Sequence, residues 1–156
     1  MNGSIDDIIK GLESYKRSLK VKADALVKAL AEAGATNVSL VYARTPYTGH
    51  KNADVTVEER GPGKYAIVAS GQTVLFLEFG AGVTYGNGHP NPMEYGPGTY
   101  PGQTHAMDPG GWYLPKSVFG VSGVHTYGNP PSAAMYQTGK GLREMVEQAA
   151  KAVFGG

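Results

Sequence analysis

Four histidines, His50, His89, His105 and His125, are the side chains best placed by type to hold a metal or to move a proton near neutral pH. His105 and Asp108 stand three residues apart, which would put two ligands on one helical turn. Pro109 and two glycines follow, so no helix is expected there. No H-E-x-x-H or comparable zinc pattern occurs. The histidines read as surface or hydrogen-bonded loop residues, and no metal site is expected. Nucleophilic catalysis needs a nucleophile, a base and a group that orients the base. Ser70-Gly71 and Ser122-Gly123 do not make a G-x-S-x-G elbow. A hydrolase with a dispersed His/Asp site would have to draw its residues from distant segments. Gly80-Ala81-Gly82 has the wrong spacing for a dinucleotide loop, and Arg60-Gly61-Pro62-Gly63-Lys64 is a turn, not a phosphate cradle. Glu58 and Glu59 are adjacent on an expected strand and point to opposite faces, so they cannot work as a carboxylate pair. These patterns predict no catalytic residue and no cofactor.

Glu78 stands apart. It lies in Val74-Leu75-Phe76-Leu77-Glu78-Phe79-Gly80, and a carboxylate is costly to bury in such a run without partners. Two readings stay open. One is a sheet-edge or cap-like acceptor that fixes the Gly80–Gly82 turn, and the other is a role at a subunit boundary. The run itself fits either a buried strand or a short helix beneath a sheet.

The elements that must position these groups follow from periodicity. Residues 4–33 predict a long helix, with Ile5, Ile8, Leu12, Tyr15, Leu19, Leu26 and Leu30 on one face. Ser4 and Asp7 form a capping box at its start, and Gly34 suits its end. Lys10, Lys16, Arg17, Lys20 and Lys28 occupy the other face. Three strands are expected at 38–43, 55–60 and 65–70, the last two joined by the Gly61-Pro62-Gly63 turn. Tyr65, Ile67 and Ala69 share one strand face. Trp112–Leu114 and Val118–Val124 predict a loose β-excursion. A final helix is expected over 132–154, with Met135, Leu142, Met145, Ala149 and Val153 on one face, and with a break or bend at Gly139 and Gly141. Helix, strands, loop and helix are segregated, which predicts an α+β fold with a small antiparallel sheet flanked by the two helices.

The chain has 156 residues, enough for a single domain spanning 1–156 without disulfide or metal support. It has no cysteine, which excludes a thiolate zinc site and a cysteine nucleophile. Its 14 basic and 13 acidic residues give a net charge of +1, without the basic excess of a nucleic-acid binder. Neither a signal-peptide pattern nor a membrane span is evident, so a soluble protein made inside the cell is expected.

Residues 80–111 are unusual in composition. Between 80 and 111, fourteen of 32 residues are Gly or Pro and only Glu94 and Asp108 are charged. A disordered linker carries more charge and fewer rings, so the segment reads as an arm that orders on itself or against a partner. Its rings could stack on a sugar or on single-stranded nucleic acid. No Arg or Lys is interleaved among them, which counts against nucleic acid. Charge-poor aromatic surface is also what protein interface cores use. Tyr85, Tyr95, Tyr100, Trp112 and Tyr127 are therefore the expected interface residues, with a sugar- or peptide-binding module as the alternative.

Several segments, in this order, resemble the tail-completion (head–tail joining) proteins of long-tailed bacteriophages. They are the long amphipathic first helix; Thr45-Pro46-Tyr47-Thr48-Gly49-His50-Lys51-Asn52; Tyr65-Ala66 and then Leu77-Glu78-Phe79-Gly80-Ala81-Gly82; and Asn129-Pro130-Pro131-Ser132-Ala133-Ala134-Met135 before the last helix. The resemblance covers about residues 5–80 and 126–154. It departs at 83–125, which is far longer than the family's usual connection. It departs also at Ala81, where the family has threonine, and at His50, where it has a basic residue. The resemblance implies a fold similar to phage tail terminators and no chemistry. It implies a virion structural protein of the neck, assembled in the bacterial cytoplasm. It further implies a homo-oligomeric ring, typically a hexamer, between the connector or stopper and the tail tube or terminator. DNA would pass through the lumen without specific binding.

Overall fold

A computed structural model describes residues 4–85, 89–90, 108–114 and 123–154, with the side chains of 149–154 excepted. The expected Tyr95 and Tyr100 anchors, His105, Ser122 and most of the 118–124 β-excursion lie outside these residues.

Helix α1 spans Ile5–Arg44, forty residues and on the order of 60 Å. Its start is as the sequence predicts: the Ser4 hydroxyl accepts from the Asp7 amide while the Asp7 carboxylate accepts from the Ser4 amide. Its end is not at Gly34. The helix continues for ten more residues, and the strand expected at 38–43 is its last turns. Tertiary packing decides this against the β-branched composition. Ala31, Ala35, Val38 and Tyr42, spaced four, three and four apart, form the buried face. Gly34 lies within that face. A Cβ there would come within 2.6 Å of Ile67 Cδ1 and 2.9 Å of Leu142 Cδ1, so the glycine permits close approach and does not end the helix.

Strands β1 (Asp54–Gly61) and β2 (Lys64–Ser70) form the expected hairpin, in register from Asp54↔Ser70 to Glu59↔Tyr65 with an irregularity before Gly61. A lone two-stranded hairpin is marginal in water, and this one lies on the second half of α1. The turn is tied down from the helix. Asp24 Oδ1 accepts from the Gly63 amide at 2.7 Å, and Oδ2 accepts from the Tyr65 hydroxyl at 3.1 Å. Loss of hydration, and then the Asp24 hydrogen bond, raise the Tyr65 phenol above its ordinary range.

The ambiguous run 74–79 is a short helix, α2 (Val74–Phe79), followed by a single 3-10 turn at Val83–Tyr85. Two further short strands, β3 (Trp112–Tyr113) and β4 (His125–Thr126), pair antiparallel. The fold is therefore mixed helix and sheet: the hairpin is one two-stranded ladder without the strand expected at 38–43, and β3, which falls in the expected 112–114 part of the β-excursion, pairs with β4 as a second. Helix α3 (Ala134–Phe154) begins two residues later than expected and runs through Gly139 and Gly141 unbroken. Open space surrounds both positions, so neither glycine marks a bend or a close contact. Of its expected apolar face, Met135 and Leu142 are half-buried while Met145 is exposed. The core is small: Val38, Tyr42, Leu77 and Ala134, with Val41, Tyr47, Ala53, Val55, Ala69 and Met135 packed around them. Among the described residues no helix is long and apolar enough to cross a membrane.

Candidate functional site

Helix α3 starts without a cap of its own. The residue before it, Ala133, has no side-chain acceptor and sits at φ 49°, a conformation unusual outside glycine. The first amides of any helix need acceptors. Here Glu78 supplies them from α2. Its Oε2 accepts from the Met135 amide at 3.0 Å and its Oε1 from the Tyr136 amide at 3.1 Å. These are the two donors that a Ser or Asp N-cap would normally satisfy. The carboxylate also faces the positive end of the helix dipole. The Tyr42 hydroxyl donates to Oε2 at 3.0 Å, and His89 Nε2 stands 3.6 Å from Oε1. Burial, then the Glu78 charge and hydrogen bond, push the Tyr42 phenol well above its usual range.

Glu78 is thus cap-like, as one of the two readings had it, but it caps α3 and does not fix the Gly80–Gly82 turn. It is only 5% exposed, and donors of the chain itself occupy both oxygens. The arrangement joins α1, α2 and α3 at one charge. The sequence hid three of its participants. Tyr42 lies in a stretch that reads as a strand, and backbone amides have no sequence signature. The available signal was negative: the lead-in Pro130-Pro131-Ser132-Ala133 puts alanine where the N-cap acceptor belongs, so an acceptor had to come from elsewhere.

The loop after α1, α2 and the segment that leads into α3 meet in one hydrogen-bonded seam. Lys51 Nζ donates to the carbonyls of Tyr42 and Ala43 at the end of α1, at 3.1 and 2.5 Å. The Asn52 amide donates to Thr73 Oγ1, which in turn donates to the Asn52 carbonyl. Asn129 Nδ2 donates to the Phe76 carbonyl at 2.7 Å, and Ala81 and Asn129 exchange backbone hydrogen bonds at 2.9 and 3.0 Å. This seam demands glycine. A Cβ on Gly82 would lie 2.2 Å from the Tyr127 carbonyl oxygen, and one on Gly128 would lie 1.8 Å from that of Ala81. A Cβ on Gly80 would lie 2.7 Å from the Pro131 nitrogen and 2.8 Å from the Asn129 carbonyl oxygen. Phe79 stacks at 4.6 Å on His89, Pro130 and Pro131 are half-buried in the seam, and Pro46, Thr48 and Gly49 form the loop after α1.

The expected interface rings divide. Tyr85 is half-buried at the end of the 3-10 turn. Trp112 is half-buried and, with Tyr47, Phe76 and Asn129, lines a cavity of about 30 Å³, far too small for a sugar or nucleotide. Tyr127 is 54% exposed. It forms one end of a ladder in which His125 meets Tyr113 at 5.0 Å and Tyr127 at 4.9 Å, edge to face. The described histidines do not gather. His50 is exposed in the loop after α1, His89 is buried at Glu78, and His125 stands between the two tyrosines.

One bare apolar surface among the described residues was not among the expected sites. Every residue from Ser4 to Ala23 is exposed, so α1 projects from the body by about 28 Å before Asp24 anchors it. Along that projection Ile5, Ile8, Leu12, Tyr15 and Leu19 repeat at three- and four-residue spacing, with Ile5 76%, Leu12 63% and Tyr15 62% exposed. A second apolar feature is an open groove of about 480 Å³ between the buried half of α1, β2 and α3.

No family model matches the chain, nor does any curated protein or solved structure.

Proposed function

We propose that this chain is a structural subunit that works by joining other polypeptide chains, in the manner of the tail-completion proteins that its sequence resembles: a neck component between the head connector and the tail. The observation that carries the reading is the projecting half of α1. Apolar patches beyond a few hundred Å² on a folded protein mark contact surfaces. A helix face of this kind, held away from its own body, presents a preformed amphipathic element to a partner. The two helices, the hairpin and the Glu78 cap supply the rigid body behind it. A near-neutral chain is also suited to a ring that lets DNA pass without holding it.

The test is joining. DNA-filled heads and tails from a phage that lacks this protein are mixed with purified wild-type protein or with the Ile8→Glu/Leu12→Glu variant, and infectious particles are counted. Wild type restores joining. The variant keeps its fold, because both residues are exposed, and fails to join. A variant that restores full titre refutes the reading.

One observation favours a second reading, a sugar- or peptide-binding module: the exposed Tyr113–His125–Tyr127 ladder, whose rings can stack on a ligand. A thermal shift on a glycan or peptide library that disappears in Tyr113→Ala/Tyr127→Ala would support it.

A further inference from the structure

We infer that the bare stripe of α1 seats in the α1–β2–α3 groove of a second copy of this chain. The inference rests on the assembly reading above and names the partner and both surfaces.

The groove has the form of a place for a missing helix. Two helices and β2 of the hairpin form its sides, and Val27, Leu30, Ile67, Met135, Leu142 and Val146 line it with apolar side chains. A ladder of two strands needs cover on its buried face, and here that cover is incomplete. The same chain carries a helix with an apolar face that none of the described residues covers. Ile5, Ile8, Ile9, Leu12, Tyr15 and Leu19 leave roughly half to three-quarters of their surfaces bare. Together these offer on the order of 700 Å², close to the ~800 Å² that each side of a stable interface buries.

The stripe cannot fill its own groove. Helix α1 is continuous from Ile5 to Arg44, which holds Leu12 about 27 Å along the axis from Leu30. Charge is compatible with insertion from another copy. Arg143 and Glu147 lie one turn apart at the groove, and Asp6 and Lys10 lie one turn apart beside the stripe. A helix laid alongside α3 can therefore meet each charge with its opposite. Stripe and groove are different patches, so two copies either exchange stripes about a two-fold axis or pass the contact on from copy to copy, closing as a ring or growing as a filament.

The chain has no cysteine, which makes the test clean. One preparation carries Leu12→Cys and another Val146→Cys. Both positions are exposed in the single chain, at 63% and 51%, so neither substitution disturbs the core. The two full-length proteins are mixed, oxidised mildly, and mapped by peptide mass spectrometry. The expected product links position 12 of one chain to position 146 of another, at least tenfold over either self-link. In parallel, light scattering of wild type shows a multi-chain species that Ile8→Glu/Leu12→Glu converts to a folded monomer by circular dichroism. Links from position 12 to position 12 alone would mean helix-to-helix pairing and would overturn the inference while the assembly reading stands. So would a lone monomer that assembles only with other neck proteins, or a monomer in which the thiol at position 146 resists labelling because the chain's own segment fills the groove. A monomer that associates with no neck protein and restores no joining would sink the assembly reading itself.

Discussion

Removing the carboxylate of Glu78 tests the central claim about this fold, that one side chain holds three helices together. In Glu78→Ala the Met135 and Tyr136 amides and the Tyr42 hydroxyl lose an acceptor at 3.0–3.1 Å. A helix N-cap contributes about 1 kcal/mol, and a buried hydroxyl left without its partner costs about 1–3 kcal/mol. The desolvation cost of the carboxylate, which disappears with it, offsets part of this. Met135 is half-buried and Tyr136 exposed, so water replaces some of the lost bonds at the helix start. The net expectation is a loss of about 3 kcal/mol, or a Tm lowered by about 6–12 °C for a chain of this size. Glu78→Gln keeps one acceptor oxygen but turns an amide group toward donors, and is expected to cost about 2 kcal/mol. Urea unfolding followed by circular dichroism gives the global value. Trp112 is the single tryptophan and shares a small cavity with Phe76 of α2, so its fluorescence reports the same event locally. A double-mutant cycle with Tyr42→Phe should show coupling of at least about 1 kcal/mol, because the two residues share one bond. A Glu78→Ala protein within about 0.5 kcal/mol of wild type, or a cycle with no coupling, would show that the cap does not hold the helices.

Alkaline pH should unfold the protein through its tyrosines. The Tyr42 and Tyr65 phenols are raised above the ordinary value of 10, so the folded state keeps protons that the unfolded chain releases. Their contribution is fully present below pH ~10 and is lost as pH rises above it, for the buried Tyr42 by about 1.4 kcal/mol per pH unit; Tyr42→Phe should flatten this limb in urea titrations at pH 9–12. Glycine positions should respond with opposite signs: Gly128→Ala, whose Cβ would overlap the Ala81 carbonyl, costs more than about 3 kcal/mol, while Gly139→Ala, in open space on α3, gains about 1 kcal/mol by thermal melting. Asp24→Ala removes both bonds that fix the hairpin turn to α1 and should cost about 1–2 kcal/mol, with faster amide exchange at Gly63.

Local signals in the sequence carried far, and only where local physics decides. The Ser4–Asp7 box and the Pro62-Gly63 turn with its alternating flanks act within a few residues, and both stand where periodicity and turn chemistry put them. The end of α1 does not. Val38 to Ala43 has strand composition, yet Ala31, Ala35, Val38 and Tyr42 continue a helical stripe, and only contact with Ile67, Leu142 and Leu77 makes that stripe prevail. Glu78 was legible as a charge that needed partners. Its partners were not, because two are backbone amides 57 and 58 residues away and the third belongs to the misread turns. Nor does a pattern of apolar residues say what covers it. The stripe from Ile5 to Leu19 reads as the face that a helix buries in its own domain, and only the three-dimensional arrangement leaves it bare.

That division along one helix connects the folding of this chain with its use. From Asp24 to Tyr42, α1 is a scaffold: Gly34 and two alanines bring it against β2 and α3, and Tyr42 fastens it to Glu78. From Ile5 to Leu19 the same helix has no body beneath it, and isolated helices of such length are marginal in water. The scaffold half therefore supplies the nucleus from which the free half is propagated, and the capping box holds its far end. A contact surface built this way is organised before any partner arrives, which lowers the conformational entropy lost on association. Its cost is an apolar face that must find a partner or remain exposed to water, and a near-neutral chain provides little charge repulsion to prevent chance association. In the proposed assembly those opposing terms would balance.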